Sequence, residues 1–155
     1  FILDFVLSFS GLHPQEIELT EEEKEWLKYH PEIYHGYDAA WQPIEFIEDG
    51  MYSGISSGVL QLLGKKLGVK FIPKKCETWD DDTAMLKRKE VLILPALMKN
   101  EEREKFMIFT EPYQEFGFVI VTESNADFVG GISDLLNKKI ALPKGYYITN
   151  LIKKE

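Results

Sequence analysis

Apolar residues in this chain follow two rhythms that alternate along it: short near-continuous runs, and longer stretches at helical spacing. The clearest helical stretch carries Ile55, Val59, Leu60, Leu62, Leu63 and Leu67. Lys65 and Lys66 in its last turn suit the helix dipole, and Gly68 supplies a left-handed stop. Upstream, Thr20-Glu21-Glu22-Glu23 is a capping box that starts a helix with Trp26 and Leu27. That helix ends near His30-Pro31, because proline disfavours helix in the residue before it. Thr78 caps a third helix, acidic at Asp80-Asp81-Asp82 and basic at Lys87-Arg88-Lys89. The short runs predict strands at Glu32–Tyr37, Ile44–Ile47, Val69–Ile72, Val91–Leu94, Phe116–Thr122 and Lys139–Leu142. Asp49-Gly50 marks a tight turn. Shorter helical pieces are predicted around Arg103, over Ile132 to Leu136 and from about Tyr146. Strands alternating with helices predict an α/β fold with a mixed, mostly parallel sheet. The last helix has no strand after it, so the chain reads as one lobe plus the start of a second.

Composition narrows this picture. A chain of 155 residues with 45% hydrophobic and 13% aromatic content has the material for one packed domain. A net charge of −8 with scattered lysines and arginines argues against a nucleic-acid partner, which needs a basic stripe. The single cysteine, Cys76, excludes an intrachain disulfide and leaves the compartment open. Phe1 to Ser10 is almost wholly apolar but too short to span a membrane. Residues 1–18 read as a signal remnant, a linker or a packed element. The first residue is not Met, so a processed or excised chain is expected.

Candidate chemistry concentrates at residues 95–113, PALMKNEEREKFMIFTEPY. A predicted strand leads to Pro95 and the small Ala96, then to a charged turn carrying Arg103, an apolar step from Phe106 to Phe109, and Pro112-Tyr113. Loops leaving the C-terminal edge of a strand are where open α/β sheets bind ligands. An arginine there can hold a carboxylate through two parallel hydrogen bonds. The plainer reading puts Arg103 on a solvated face among Glu101, Glu102 and Glu104. His13, His30 and His35 lack metal-ligand spacing, and no motif supports Cys76 as a nucleophile. Asp80-Asp81-Asp82 is explained by the helix start as well as by a cation. There is no nucleophile elbow, phosphate loop or dinucleotide fingerprint, and no cofactor or metal is expected.

The ordered series of elements resembles the type-3 bacterial extracellular solute-binding proteins, the two-lobed periplasmic family that typically binds amino acids. It is most similar to the variant used as a sensor domain in membrane histidine kinases and diguanylate cyclases. The resemblance rests on Leu19 to Leu27, His30-Pro31-Glu32-Ile33, Gly36-Tyr37-Asp38 and Trp41 to Phe46. It continues through Asp49 to Ile55, Leu67 to Phe71, Leu94-Pro95-Ala96 to Pro112-Tyr113, and Lys138 to Tyr146. It implies lobe one at 19–115, then a crossover and incomplete second lobe at 116–155, with ligand in a cleft that closes by a hinge. It places a carboxylate clamp at Arg103, helped by the loop Ala96, Leu97 and Met98. Trp41, with Phe46 nearby, would pack the apolar part of the ligand, Asp38 would be a further ligand-binding residue, and Gly145, Tyr146 and Tyr147 would form the facing helix start. Met98 and Asn100 stand where the family often carries hydroxyl residues; Gly58 and Leu92 stand where it often carries acids. The ligand therefore stays open between an amino acid and another small anion.

The expected function is an extracytoplasmic sensing domain, without chemistry of its own, in a transmembrane signalling protein. Alternatives are the substrate-binding component of an ABC-type amino acid transporter, or an enzyme on this fold, such as a dehydratase or lytic-transglycosylase-associated domain. Asp38 and Glu45 are the acid–base candidates for an enzyme. Expected partners are a small-molecule ligand and a membrane-anchored signalling or transporter component, and self-association through an unfinished lobe is a further expectation.

Overall fold

The computed structural model describes residues 17–76, 78–143 and 146–152. The sequence expectations for 1–16 and for Gly145 fall outside the described residues.

Helix α1 (Glu21–Tyr29) begins with the predicted capping box: Thr20 Oγ1 accepts from the Glu23 N–H, and Glu23 reaches back to the Thr20 N–H. It ends at His30, whose ring stacks on Trp26 at 4.0 Å. Strand β1 (Glu32–Tyr37) follows, then three short strands: β2 (Ala40–Trp41), β3 (Glu45–Glu48) and β4 (Met51–Ser53). Asp49 and Gly50 join β3 to β4 with φ of 50° and 78°, the double left-handed turn that matches hairpin twist. Helix α2 (Ile55–Leu67) stops at Gly68, in the left-handed region at φ 71°. Strand β5 (Lys70–Lys75) leads to helix α3 (Trp79–Lys87), which has its own capping box between Thr78 and Asp81. Short 3-10 turns occupy Arg103–Lys105 and Ile132–Leu135, and α4 covers Tyr147–Ile152.

Strand β1 organises the sheet. It pairs in parallel with β5, from Glu32 opposite Lys70 to Tyr37 opposite Lys75. Its other edge receives the segment after α3, through Leu92 N–H to Tyr34 O at 2.9 Å and Gly36 N–H to Ile93 O at 3.0 Å. The expected strand Val91–Leu94 is thus reduced to a single bridge, His35 to Ile93. Strands β2, β3 and β4 form a separate antiparallel sheet, so the pairing is mixed. Ile33, Tyr37, Ile44, Leu60, Val69 and Val91 are the buried apolar core. Burying each such large side chain stabilises by roughly 1.5–3 kcal/mol.

Two other expected strands are absent. Phe116–Thr122 and Lys139–Leu142 have no ladder partner among the described residues. Their apolar pattern is strand-like, but a strand exists only when a second backbone takes its N–H and C=O groups. Val119 and Val121 remain more than four-fifths exposed.

Candidate functional site

A cavity of about 100 Å³ opens at the C-terminal end of β1. Gly36, Tyr37 and Asp38 bring the strand end to it, and Trp41 and Glu45 come from the small antiparallel sheet. Asp82 reaches it from α3. Leu94 to Met98, with Arg103, form one wall; Phe118, Tyr146, Tyr147 and Ile148 form another. Its position outside the carboxyl end of a parallel strand follows the rule for open α/β sheets.

Arg103 is held rather than displayed. It is only 8% exposed, and its Nη1 donates to the Met98 carbonyl at 2.6 Å. Its backbone N–H donates to Asn100 Oδ1 at 2.9 Å. Asn100 therefore caps the turn that carries the arginine, as Asn does at helix starts. Burial pulls the guanidinium below its ordinary pKa, opposed by Glu102. It stays charged at any physiological pH. The solvated-face reading of Arg103 is overturned: Glu101, Glu102 and Glu104 point outward while Arg103 packs inward.

Three carboxyl groups face the same space. Asp38 accepts from the Ala40 N–H at 2.9 Å through Oδ1, and from the Tyr146 hydroxyl through Oδ2. Glu45, 2% exposed, accepts from Tyr52 Oη at 2.6 Å and from the Asp38 N–H at 3.2 Å. Burial outweighs those bonds and pushes its carboxyl up to about 7, with Asp82 and Asp38 adding repulsion. Asp82, also 2% exposed, is raised chiefly by burial, while a contact with the Cys76 thiol pulls the other way. Asp82 Oδ1 has no hydrogen-bond partner. The Cys76 thiol is pushed up to about 12 by burial and by Asp82, which disfavours the thiolate near neutral pH.

Of the residues the sequence points to, Asp38, Trp41, Ala96, Leu97, Met98, Arg103, Tyr146 and Tyr147 come together around this one cavity. Phe46 does not. It follows Glu45 on β3, and strand alternation sends it to the opposite face. From the sequence, Glu45 is an acid–base candidate, and Asp82 is helix-start charge or part of a cation site, not a separate cavity residue. One signal for Asp82 was available in the sequence: it lies one helical turn before the apolar Leu86, on the same side of the helix. His35 is buried, its ring 4.7 Å from that of Tyr52, and burial lowers its pKa. His30 bonds the Trp26 carbonyl. Among the described residues no His, Cys, Asp or Glu cluster is placed to hold a metal.

Comparison with known proteins agrees with this architecture. The chain is 31% identical over 137 residues to the virulence sensor protein BvgS of Bordetella pertussis, covering 88% of this chain and 11% of that protein. It thus spans about a ninth of that curated relative's length. A crystal structure of a double mutant of the BvgS VFT2 domain superposes with TM-score 0.78 at 28% identity, over 92% of this chain and 59% of that one. A point mutant of arginine-bound ArgBP from T. maritima gives 0.74 at 25% identity, over 85% and 63%. The chain is homologous to the BvgS periplasmic domain. Residues 33–154 match the description of the bacterial extracellular solute-binding proteins, family 3, and the chain belongs to that family.

Proposed function

We propose that this domain binds a small carboxylate-bearing molecule, in the first instance an amino acid, and serves as the sensing input of a transmembrane signalling protein. The observation that carries the reading is Arg103, a buried guanidinium in the wall of the cavity, set in place by Met98 and Asn100. A guanidinium keeps its charge and offers a forked set of donors that matches a carboxylate. Trp41, Tyr146 and Tyr147 supply apolar walls of the kind that bury the rest of a small ligand. The arginine-bound ArgBP supports an amino acid, and the sensor protein BvgS supports a signalling role. In this reading residues 19–115 form lobe one, and 116–155 form the crossover and opening of lobe two. The domain transmits occupancy by a shift of population and carries out no reaction.

The test is a melting-temperature screen of amino acids and simple carboxylates, repeated on Arg103→Ala. At a hundredfold excess over the dissociation constant, a ligand stabilises by about 2.7 kcal/mol. Loss of that shift in the variant is the expected result. An undiminished shift places the carboxylate elsewhere.

A further inference from the structure

The three cavity carboxyls are not equivalent. Both oxygens of Asp38 accept hydrogen bonds, from the Ala40 N–H and the Tyr146 hydroxyl. Both oxygens of Glu45 do too, from Tyr52 and the Asp38 N–H. Asp82 differs: its Oδ1 is buried at the cavity and accepts nothing. A buried carboxyl oxygen without a partner is destabilising, so its presence calls for an occupant. Helix capping does not explain it, because Asp81 already closes the capping box of α3 with Thr78. The fold also makes room for the carboxyl itself. A Cβ on Gly36 would lie 2.5 Å from Asp82 Oδ1, so only a glycine in β1 lets the carboxyl take this position.

Charge points the same way. Among the described residues lining the cavity, the carboxyls of Asp38 and Asp82, with that of Glu45 held up to about 7 and so only partly charged, face one guanidinium. A purely anionic ligand would satisfy Arg103 and meet repulsion from the rest. No metal-holding cluster exists among the described residues, which leaves an organic cation with its own N–H donors.

We propose that Asp82 receives a positively charged nitrogen of the ligand, an ammonium or guanidinium, so that the bound molecule is anionic at Arg103 and cationic at Asp82. This rests on the carboxylate reading of Arg103 and adds a second, independent determinant of specificity. Asp38, with its oxygens already engaged, contributes field; Asp82 contributes the open acceptor.

Three probes separate the two ends of the ligand. L-lysine and hexanoate share a carboxylate and carbon skeleton and differ in the amino groups, whereas cadaverine is lysine without the carboxylate. Binding of each is measured by calorimetry on the wild-type chain and on Asp82→Asn, which keeps the shape and removes the charge. Lysine is expected to bind at least about tenfold more tightly than hexanoate, and Asp82→Asn to bring that ratio close to one. Equal binding of lysine and hexanoate overturns the proposal and leaves the carboxylate reading standing. A ratio unchanged in Asp82→Asn also overturns it. Cadaverine binding that depends on Asp82, with no loss in Arg103→Ala and no hexanoate binding, upholds Asp82 and removes the carboxylate clamp. No binding of any probe up to millimolar concentration counts against both. A melt of unliganded Asp82→Leu controls for folding: removing a carboxyl with an unpartnered oxygen is expected to raise the melting temperature, and a fall would mean that Asp82 serves the fold.

Discussion

Tyr52 and Glu45 form a closed pair at the back of the cavity: the phenol hydroxyl donates to the carboxyl at 2.6 Å, and burial holds that carboxyl up to about 7. The unfolded chain would ionise the same group near 4.5. A raised carboxyl pKa means the folded state keeps its proton longer, so this contribution to stability is complete below about 4.5 and is lost as pH rises to about 7. The span corresponds to something on the order of 3 kcal/mol. His35 acts in the opposite sense, since its lowered pKa removes stability as pH falls below its ordinary 6.5. Glu45→Gln isolates the carboxyl. Urea unfolding at pH 5 and pH 7.5 should show a smaller loss of stability with rising pH in the variant than in the wild type. Parallel pH dependences in the two proteins would contradict the buried, protonated Glu45.

Two glycines four residues apart should respond oppositely to alanine. Gly54 begins α2 at φ 112°, and a Cβ there would sit 2.4 Å from the Ile44 carbonyl oxygen. Gly54→Ala combines backbone strain with a backbone clash and is expected to destabilise by about 3 kcal/mol or more. Gly58 lies inside the same helix with open space around its missing Cβ. Gly58→Ala should stabilise by about 0.5–1 kcal/mol through helix propensity. Thermal melts of the two variants decide the matter, and a destabilised Gly58→Ala would show that this position needs glycine.

Tyr113 ties the arginine segment back to helix α2. Its hydroxyl donates to the Pro95 carbonyl at 2.8 Å and lies 3.0 Å from Ser56 Oγ at the start of α2. Ser56 is fully buried, so removing that hydroxyl takes a hydrogen-bond partner from a polar atom that water does not reach. Tyr113→Phe is expected to lose about 1–2 kcal/mol, or roughly 2–8 °C in melting temperature. It should also weaken lysine binding, because the 95–103 loop loses an anchor. Unchanged binding with lowered stability would separate the anchor from the site.

The sequence was most legible where local chemistry decides structure. The capping box at Thr20, the cap at Thr78, the Asp49-Gly50 turn and the Gly68 stop are all present as predicted, because each satisfies backbone groups within a few residues. Legibility failed where a partner backbone is required. Val91–Leu94 touches β1 at one bridge, and Phe116–Thr122 pairs with nothing described, although both have strand composition. At the site, Arg103 was visible because an ordered series of motifs surrounds it. Asp82 was masked by its neighbours. In a run of three aspartates the helix dipole accounts for all of them, and only the i, i+4 spacing to Leu86 hints at the one that faces inward.

The bond between Tyr146 and Asp38 joins two cavity-lining residues 108 positions apart. Any arriving donor that wants Asp38 must displace a phenol that is tethered beside it and never diffuses away. A tethered competitor has a high effective concentration, commonly in the millimolar range. Affinity at that carboxyl is therefore a net exchange, and weak donors are screened out before selectivity at Asp82 or Arg103 comes into play.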